Sequence, residues 1–172
     1  MPGFLLIPPS GVDTETLDAA VAAAVDAIDV DAQVAQALED HSSGIFLGGA
    51  SRTTAFASAG NADISTFTAT VVGKGRPAIV YVKLPAVYNS TNALNGIRLD
   101  LKQDGVGICR AFAYAGSTAL GNTVEFHHKT ATLVLDQTYN FTIGLWQLGT
   151  GTMNVFASAT GPTPMTIDVV SC

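Results

Sequence analysis

Side chains able to do chemistry are few in this sequence, and their spacing excludes more than it supports. His127-His128-Lys129 contains the only adjacent histidines. Neighbouring residues on a strand point to opposite faces, so two such imidazoles do not converge on one metal ion, which on a strand needs i, i+2 spacing. His41 falls at a helix end, where a cation suits the dipole. Surface positions are expected for all three, with no metal, and Cys109 and Cys172 do not make a zinc signature. Asp100, Glu125 and Asp168 are the carboxylates that would have to meet to form a glycosidase pair, and nothing in their spacing brings them together. There is no Gly-x-Ser-x-Gly elbow, phosphate-cradling loop or dinucleotide fingerprint. The expectation is a non-enzymatic chain that needs no cofactor.

Binding chemistry is better represented, by Trp146. Phe141, Ile143 and Leu145 alternate with Thr142, Gly144 and Trp146. A period of two marks a strand with one buried face, so Trp146 shares its face with Thr142, Gly144 and Leu148. An indole beside a glycine is a flat platform for a sugar ring. The favoured reading, however, is a tryptophan packed at a sandwich edge or a subunit seam.

The elements that position this residue are strands. Met153, Val155 and Ala157, then Met165, Ile167 and Val169, continue the alternation, with Gly149-Thr-Gly151 as a hairpin turn and Thr160-Gly-Pro-Thr-Pro164 as a stop. Together they predict a β-meander that closes a sheet. Upstream, Gly44-Ile-Phe-Leu-Gly48 leads into the body and Ser65–Val71 is a β-branched run. Ala78–Leu84 is a continuous apolar strand that Pro85 should end. Ile97, Leu99 and Leu101 alternate with Arg98, Asp100 and Lys102, predicting a strand with one wet face carrying a + − + row. Asp104-Gly105 signals a hairpin. Ile108–Ala115 and Val124–Leu135 add further strands, for about eight to ten in all, which argues for a sandwich or barrel.

The closing pattern of Tyr139–Cys172 runs as an aromatic-rich strand, Gly-Thr-Gly-Thr turn, small-residue strand, Ala-Thr-x-Pro and a final alternating strand. It resembles the C-terminal β-sandwich of tailed-bacteriophage fibre, minor tail and head-decoration proteins. In that family the sandwich is jelly-roll-like, similar to the trimeric heads of tumour-necrosis-factor and C1q proteins. The resemblance implies a mainly β chain with an antiparallel jelly-roll-like β-sandwich, assembled as a homotrimer.

Three segments are expected. Residues 1–12 form an extended arm: Pro2, Pro8 and Pro9 forbid a helix, and the apolar Phe4, Leu5, Leu6 and Ile7 are candidates for docking on a particle. Residues 13–43 form a short α-helical segment, capped at Asp13 or Thr14. Its apolar stripe of Leu17, Val21, Val25 and Ile28, resumed out of phase by Val34 and Leu38, packs either between subunits or on the chain's own sheet. Residues 44–172 form the sandwich.

Charge sets limits on partners. Residues 1–51 hold eight acids and no Lys or Arg, whereas residues 52–172 hold six acids and eight bases. No basic patch or stripe suggests nucleic acid. Charged residues make up only 13% of the chain against roughly 25% for an average domain, consistent either with a Thr/Ser/Asn-rich wet surface or with cover by other subunits. No apolar run approaches the ~18–20 residues of a membrane span, so no membrane insertion is expected. Phe4–Ile7 lacks the basic and long apolar parts of a signal peptide, so synthesis in the host cytoplasm and residence in the virion are expected.

The function expected is that of a homotrimeric virion structural protein: a capsid decoration protein, a head fibre or a small tail appendage bound to capsid or tail proteins. The alternative is a receptor-binding module of a phage tail that recognises a host cell-surface glycan. A secreted recognition module and a small hydrolase are disfavoured.

Overall fold

The computed structural model describes residues 18–19, 21–23, 44–90, 96–114, 121–158 and 164–172. The chain divides into two compact units, Met1–His41 and Ser42–Cys172. In the first, residues 18–19 and 21–23 are helical and Val21 is exposed. The remaining expected contact residues of that unit (Phe4, Leu5, Leu6, Ile7, Leu17, Val25, Ile28, Val34 and Leu38) lie outside the described residues.

The second unit is an antiparallel β-sandwich with ten strands among the described residues: β1 (Phe46–Arg52), β2 (Phe56–Ser58), β3 (Ala62–Val72), β4 (Ala78–Asn89), β5 (Gly96–Gln103), β6 (Val106–Tyr114), β7 (Asn122–Lys129), β8 (Thr138–Leu148), β9 (Met153–Val155) and β10 (Met165–Ser171). One sheet runs β3-β8-β5-β6. The other is built on the long strand β4, with β7 on one side and β10, then β1, on the other. Beyond β10, β9 pairs with the far end of β4 and carries β2. Successive strands mostly cross from one sheet to the other, which is jelly-roll connectivity.

The alternation read from the sequence is the alternation of burial. Phe141, Ile143, Leu145, Met153, Val155, Met165, Ile167 and Val169 are all fully buried. Ile64, Phe67, Leu84, Val87, Leu99 and Leu101 join them in a single apolar core cluster. The strands β5 and β6 form a hairpin at Asp104-Gly105, where both residues take positive φ (50° and 82°) as a primed turn requires. Asp104 is tied down further: its carboxylate accepts from the Asn140 amide at 2.8 Å.

Four expectations need correction. The last three strands are not a meander. β8 belongs to one sheet and β9 and β10 to the other, and β9 and β10 pair with β4 rather than with each other. Gly149–Gly151 therefore turns the chain across the sandwich, because β8 already has β3 and β5 on its two sides. Next, β4 does not stop at Pro85 but continues to Asn89. Its register with β7 shifts between Leu84 and Val87, and Ala86 takes a φ of 49°, so the proline sits in a bulge where no ladder N–H is needed. Third, the lead-in at Gly44–Gly48 is largely strand, since β1 starts at Phe46 and pairs with β10. Last, the + − + row of β5 is not fully wet, because Asp100 is buried.

The loop between β3 and β4 packs tightly on the one before β8. A Cβ built on Gly73 would lie 2.1 Å from the Val134 carbonyl oxygen, whereas one on Gly60 would meet nothing within 4 Å. Gly73→Ala is expected to destabilise the sandwich by about 1–3 kcal/mol, as overpacking does, and Gly60→Ala to change it by less than about 0.5 kcal/mol. Phe141→Ala, at the centre of the core, is expected to cost about 3–5 kcal/mol. Urea unfolding of the three variants checks this order.

Candidate functional site

The residue best suited to binding stands on the outer face of the four-stranded sheet. Because Leu145 faces the core, Trp146 faces out, and it is 37% exposed. Register places Arg98 of β5 directly opposite it, and Phe112 of β6 opposite Arg98. The next row holds Leu148, Gly96 and Tyr114. Phe112, Tyr114 and Leu148 are all exposed, so four large apolar side chains lie on two adjacent rows beside the edge strand β6. Gly96 leaves the gap between the outer two of its row, since a Cβ there would come within 3.1 Å of the Tyr114 ring and 3.2 Å of Leu148.

Beneath this apolar end lies a charge cluster. The Arg98 guanidinium sits over the Trp146 ring, 4.5 Å from its centroid, a cation–π contact. The same guanidinium donates to Asp100 Oδ2 at 2.9 Å. Arg110 Nε lies 3.5 Å from Asp100 Oδ1, within ion-pair range but too long for a hydrogen bond, and that oxygen has no hydrogen-bond partner. The Asp100 side chain is only 8% exposed, so two arginines from adjacent strands roof a buried carboxylate. Arg98 Nε is likewise buried without a partner, which leaves the guanidinium held by Asp100 on one nitrogen and by the indole below its plane.

On the β3 side of Trp146 the surface opens into a hollow of about 260 Å³ lined by Asn61, Ala62, Asp63, Lys102 and Trp146. Asp63 Oδ1 accepts from Lys102 Nζ at 2.5 Å. The pair spans Gly144, whose missing side chain makes room: a Cβ there would fall 2.8 Å from Asp63 Oδ1 and 3.0 Å from Lys102 Cε. Asn61 uses its side-chain oxygen to accept from the Gln147 amide at 2.9 Å.

The structure therefore brings Trp146 and Gly144 together with four groups that sequence reasoning did not connect to it: Arg98, Asp63, Lys102 and Asn61. The one available signal was the Arg98-Asp100-Lys102 alternation, which marked an outward row without naming the strand beside it. Of the carboxylates considered for catalysis it brings Glu125 and Asp168 to the lining of one hollow, with His127, and leaves Asp100 apart from them. Asp100 lies on the outer face of one sheet, while Glu125 and Asp168 lie on β7 and β10 of the other. His127 and His128 pair with Tyr81 and Val80, on opposite faces of their strand, and the His127 and Tyr81 rings are 5.8 Å apart. Among the described residues no group of three or more His, Cys, Asp or Glu is placed to hold a metal ion. Cys109 and Cys172 are both free and partly buried.

No family model matches the chain, and no curated protein sequence matches it. Among solved structures it is similar to an Eiger TNF from S. frugiperda, with a TM-score of 0.45 and 10% identity, over 74% of this chain and 92% of that one.

Removing Arg98 leaves buried Asp100 facing the exposed Arg110 at 3.5 Å without its hydrogen-bonded partner, so Arg98→Ala is expected to cost about 3 kcal/mol. Arg110 is 68% exposed, and Arg110→Ala should cost less than about 1 kcal/mol. Because the chain has one tryptophan, Arg98→Ala should also alter its fluorescence as the ring loses its cover. Equal unfolding midpoints for the two variants would show that Arg98 does not hold Asp100 in place.

Proposed function

We propose that this chain is a non-enzymatic, homotrimeric structural protein of a tailed-phage virion. In this reading it is a capsid decoration protein, head fibre or small tail appendage, docked on capsid or tail proteins through residues 1–12 with its sandwich displayed outward. The observation that carries the reading is the patch of exposed apolar side chains Phe112, Tyr114 and Leu148, on two adjacent rows near Gly96, with the first two on the edge strand β6 itself. Contiguous apolar surface of this kind marks an interaction site, and a second chain packed there would also protect the open edge of β6. Sparse charge across the chain favours the same conclusion, and the strand pattern of Tyr139–Cys172 supports the virion assignment by resemblance. The acidic first segment carries long-range attraction for a basic neighbour on the particle.

A second reading is favoured by one specific observation. Trp146 is partly exposed, braced from one side by Arg98, and open on the other to a polar hollow. That is the constitution of a recognition site, and on a displayed sandwich its natural ligand is a host cell-surface glycan.

Native mass spectrometry across concentration is expected to give a trimer, and Tyr114→Asp to shift it to monomer without loss of β-sheet circular dichroism. A trimer untouched by Tyr114→Asp would move the contact elsewhere, and a persistent monomer would remove the assembly reading. Deleting residues 1–11 is expected to abolish association with particles while the sandwich stays folded.

A further inference from the structure

We infer that the hollow between Trp146 and the Asp63–Lys102 pair is a binding site for a single neutral pyranose ring. The inference rests on the recognition reading of Trp146 given above and goes on to name the ligand class.

The aromatic wall comes first. An indole offers a flat apolar surface that matches the C–H face of a sugar ring, and burying it there removes both from water. This indole is held in place by the guanidinium of Arg98, itself anchored on buried Asp100, so little freedom remains to be lost on binding. A larger hollow of about 340 Å³ lies on the other sheet, beside Tyr81 and His127. Its ion pair, Lys83–Glu125, is 47% and 60% exposed, against 19% and 51% for Lys102 and Asp63.

The polar wall decides the class. Asp63 and Lys102 are paired at 2.5 Å, so their charges largely cancel, yet the pair still presents a second carboxylate oxygen and the remaining ammonium protons. With its oxygen taken by the Gln147 amide, Asn61 offers its side-chain NH2. A carboxylate acceptor next to ammonium and amide donors is complementary to neighbouring hydroxyls, each of which both donates and accepts. An anionic sugar is disfavoured. It would have to displace Asp63 from Lys102 and would meet the Asp63 carboxylate, a like charge that costs binding free energy. A nucleotide is disfavoured too, since its phosphates call for a basic track and both Arg98 and Lys102 are already engaged. At about 260 Å³ the hollow is smaller than the ~300–1,000 Å³ of pockets for drug-sized ligands, with room for about one ring within its walls.

The single tryptophan makes the site its own reporter. The full chain is titrated with methyl glycosides of the common neutral hexoses, 6-deoxyhexoses and N-acetylhexosamines, and with glucuronate and N-acetylneuraminate. Trp146 fluorescence and saturation-transfer NMR are followed in parallel. The expected result is a saturable response to at least one neutral glycoside and none to the anionic sugars. Asp63→Asn should weaken that response at least tenfold with an unchanged unfolding midpoint, and Trp146→Ala should abolish the saturation transfer. Response to anionic sugars alone would overturn the neutral class while leaving recognition standing. Silence across the whole panel, or affinity unchanged in Asp63→Asn, would overturn the site. Neither outcome touches the assembly reading, which is decided by native mass.

Discussion

The two-residue period of β5 and β8 governs both the interior of this sandwich and its outer surface. Phe141, Ile143 and Leu145 cannot leave the core without exposing large apolar side chains, and Ile97, Leu99 and Leu101 face the same constraint on the neighbouring strand. Each inward residue fixes the next one outward. The register between the two strands then sets Arg98 against Trp146 and Asp100 against Gly144. A slip of one residue would turn both rows over at once, so the free energy of the core also specifies the geometry of the surface cluster.

Within that frame the outer face is organised around a carboxylate that water barely reaches. Asp100 lies in the middle of the sheet with Arg98 on its own strand and Arg110 on the next. Burying a charge is costly unless it is paired, and the pairing is what bends Arg98 over the indole. The consequence is a division of the face. Toward Gly96 it is apolar and exposed; toward Gly144 it is polar, with Asp63 and Lys102 meeting over a residue that has no side chain to obstruct them. Assembly and recognition can therefore occupy neighbouring ground on one sheet, with Trp146 on the border.

Sequence alone made the strands legible wherever alternation was clean. The inward sets of β5, β8 and β10 and the outward direction of Trp146 could be read directly, because a period of two with one buried face leaves few other solutions. Partner choice could not be read. Nothing near Trp146 in the chain indicates that Arg98, on another strand, will stack on it, since strand pairing is decided by the packing of the whole sandwich. Local rules also misjudged Pro85, where a bulge removes the need for the missing N–H, and the Gly149–Gly151 turn, where a hairpin signal served a crossover. Asp100 looked solvated because its two flanking arginine side chains become a roof only once β6 is in place.

The connectivity also has a consequence in time. β1 finds its partner in β10, and the amide of Ile45 donates to the Ser171 hydroxyl across a sequence separation of 126 residues. Among the described residues β5 and β6 are the one pair of successive strands that pair locally, through the Asp104-Gly105 turn. Most of the loop-closure entropy must therefore be met before the sheets reward it, which makes this a slow-folding topology with one early hairpin. During synthesis the sandwich cannot close until β10 has been made, and until then β1 and β4 each present an unpaired edge to the cell. Synthesis of β10 thus acts as the gate to folding: a chain stopped short of it leaves β1 without its partner strand and the core without Met165, Ile167 and Val169, and is left to chaperones and proteases.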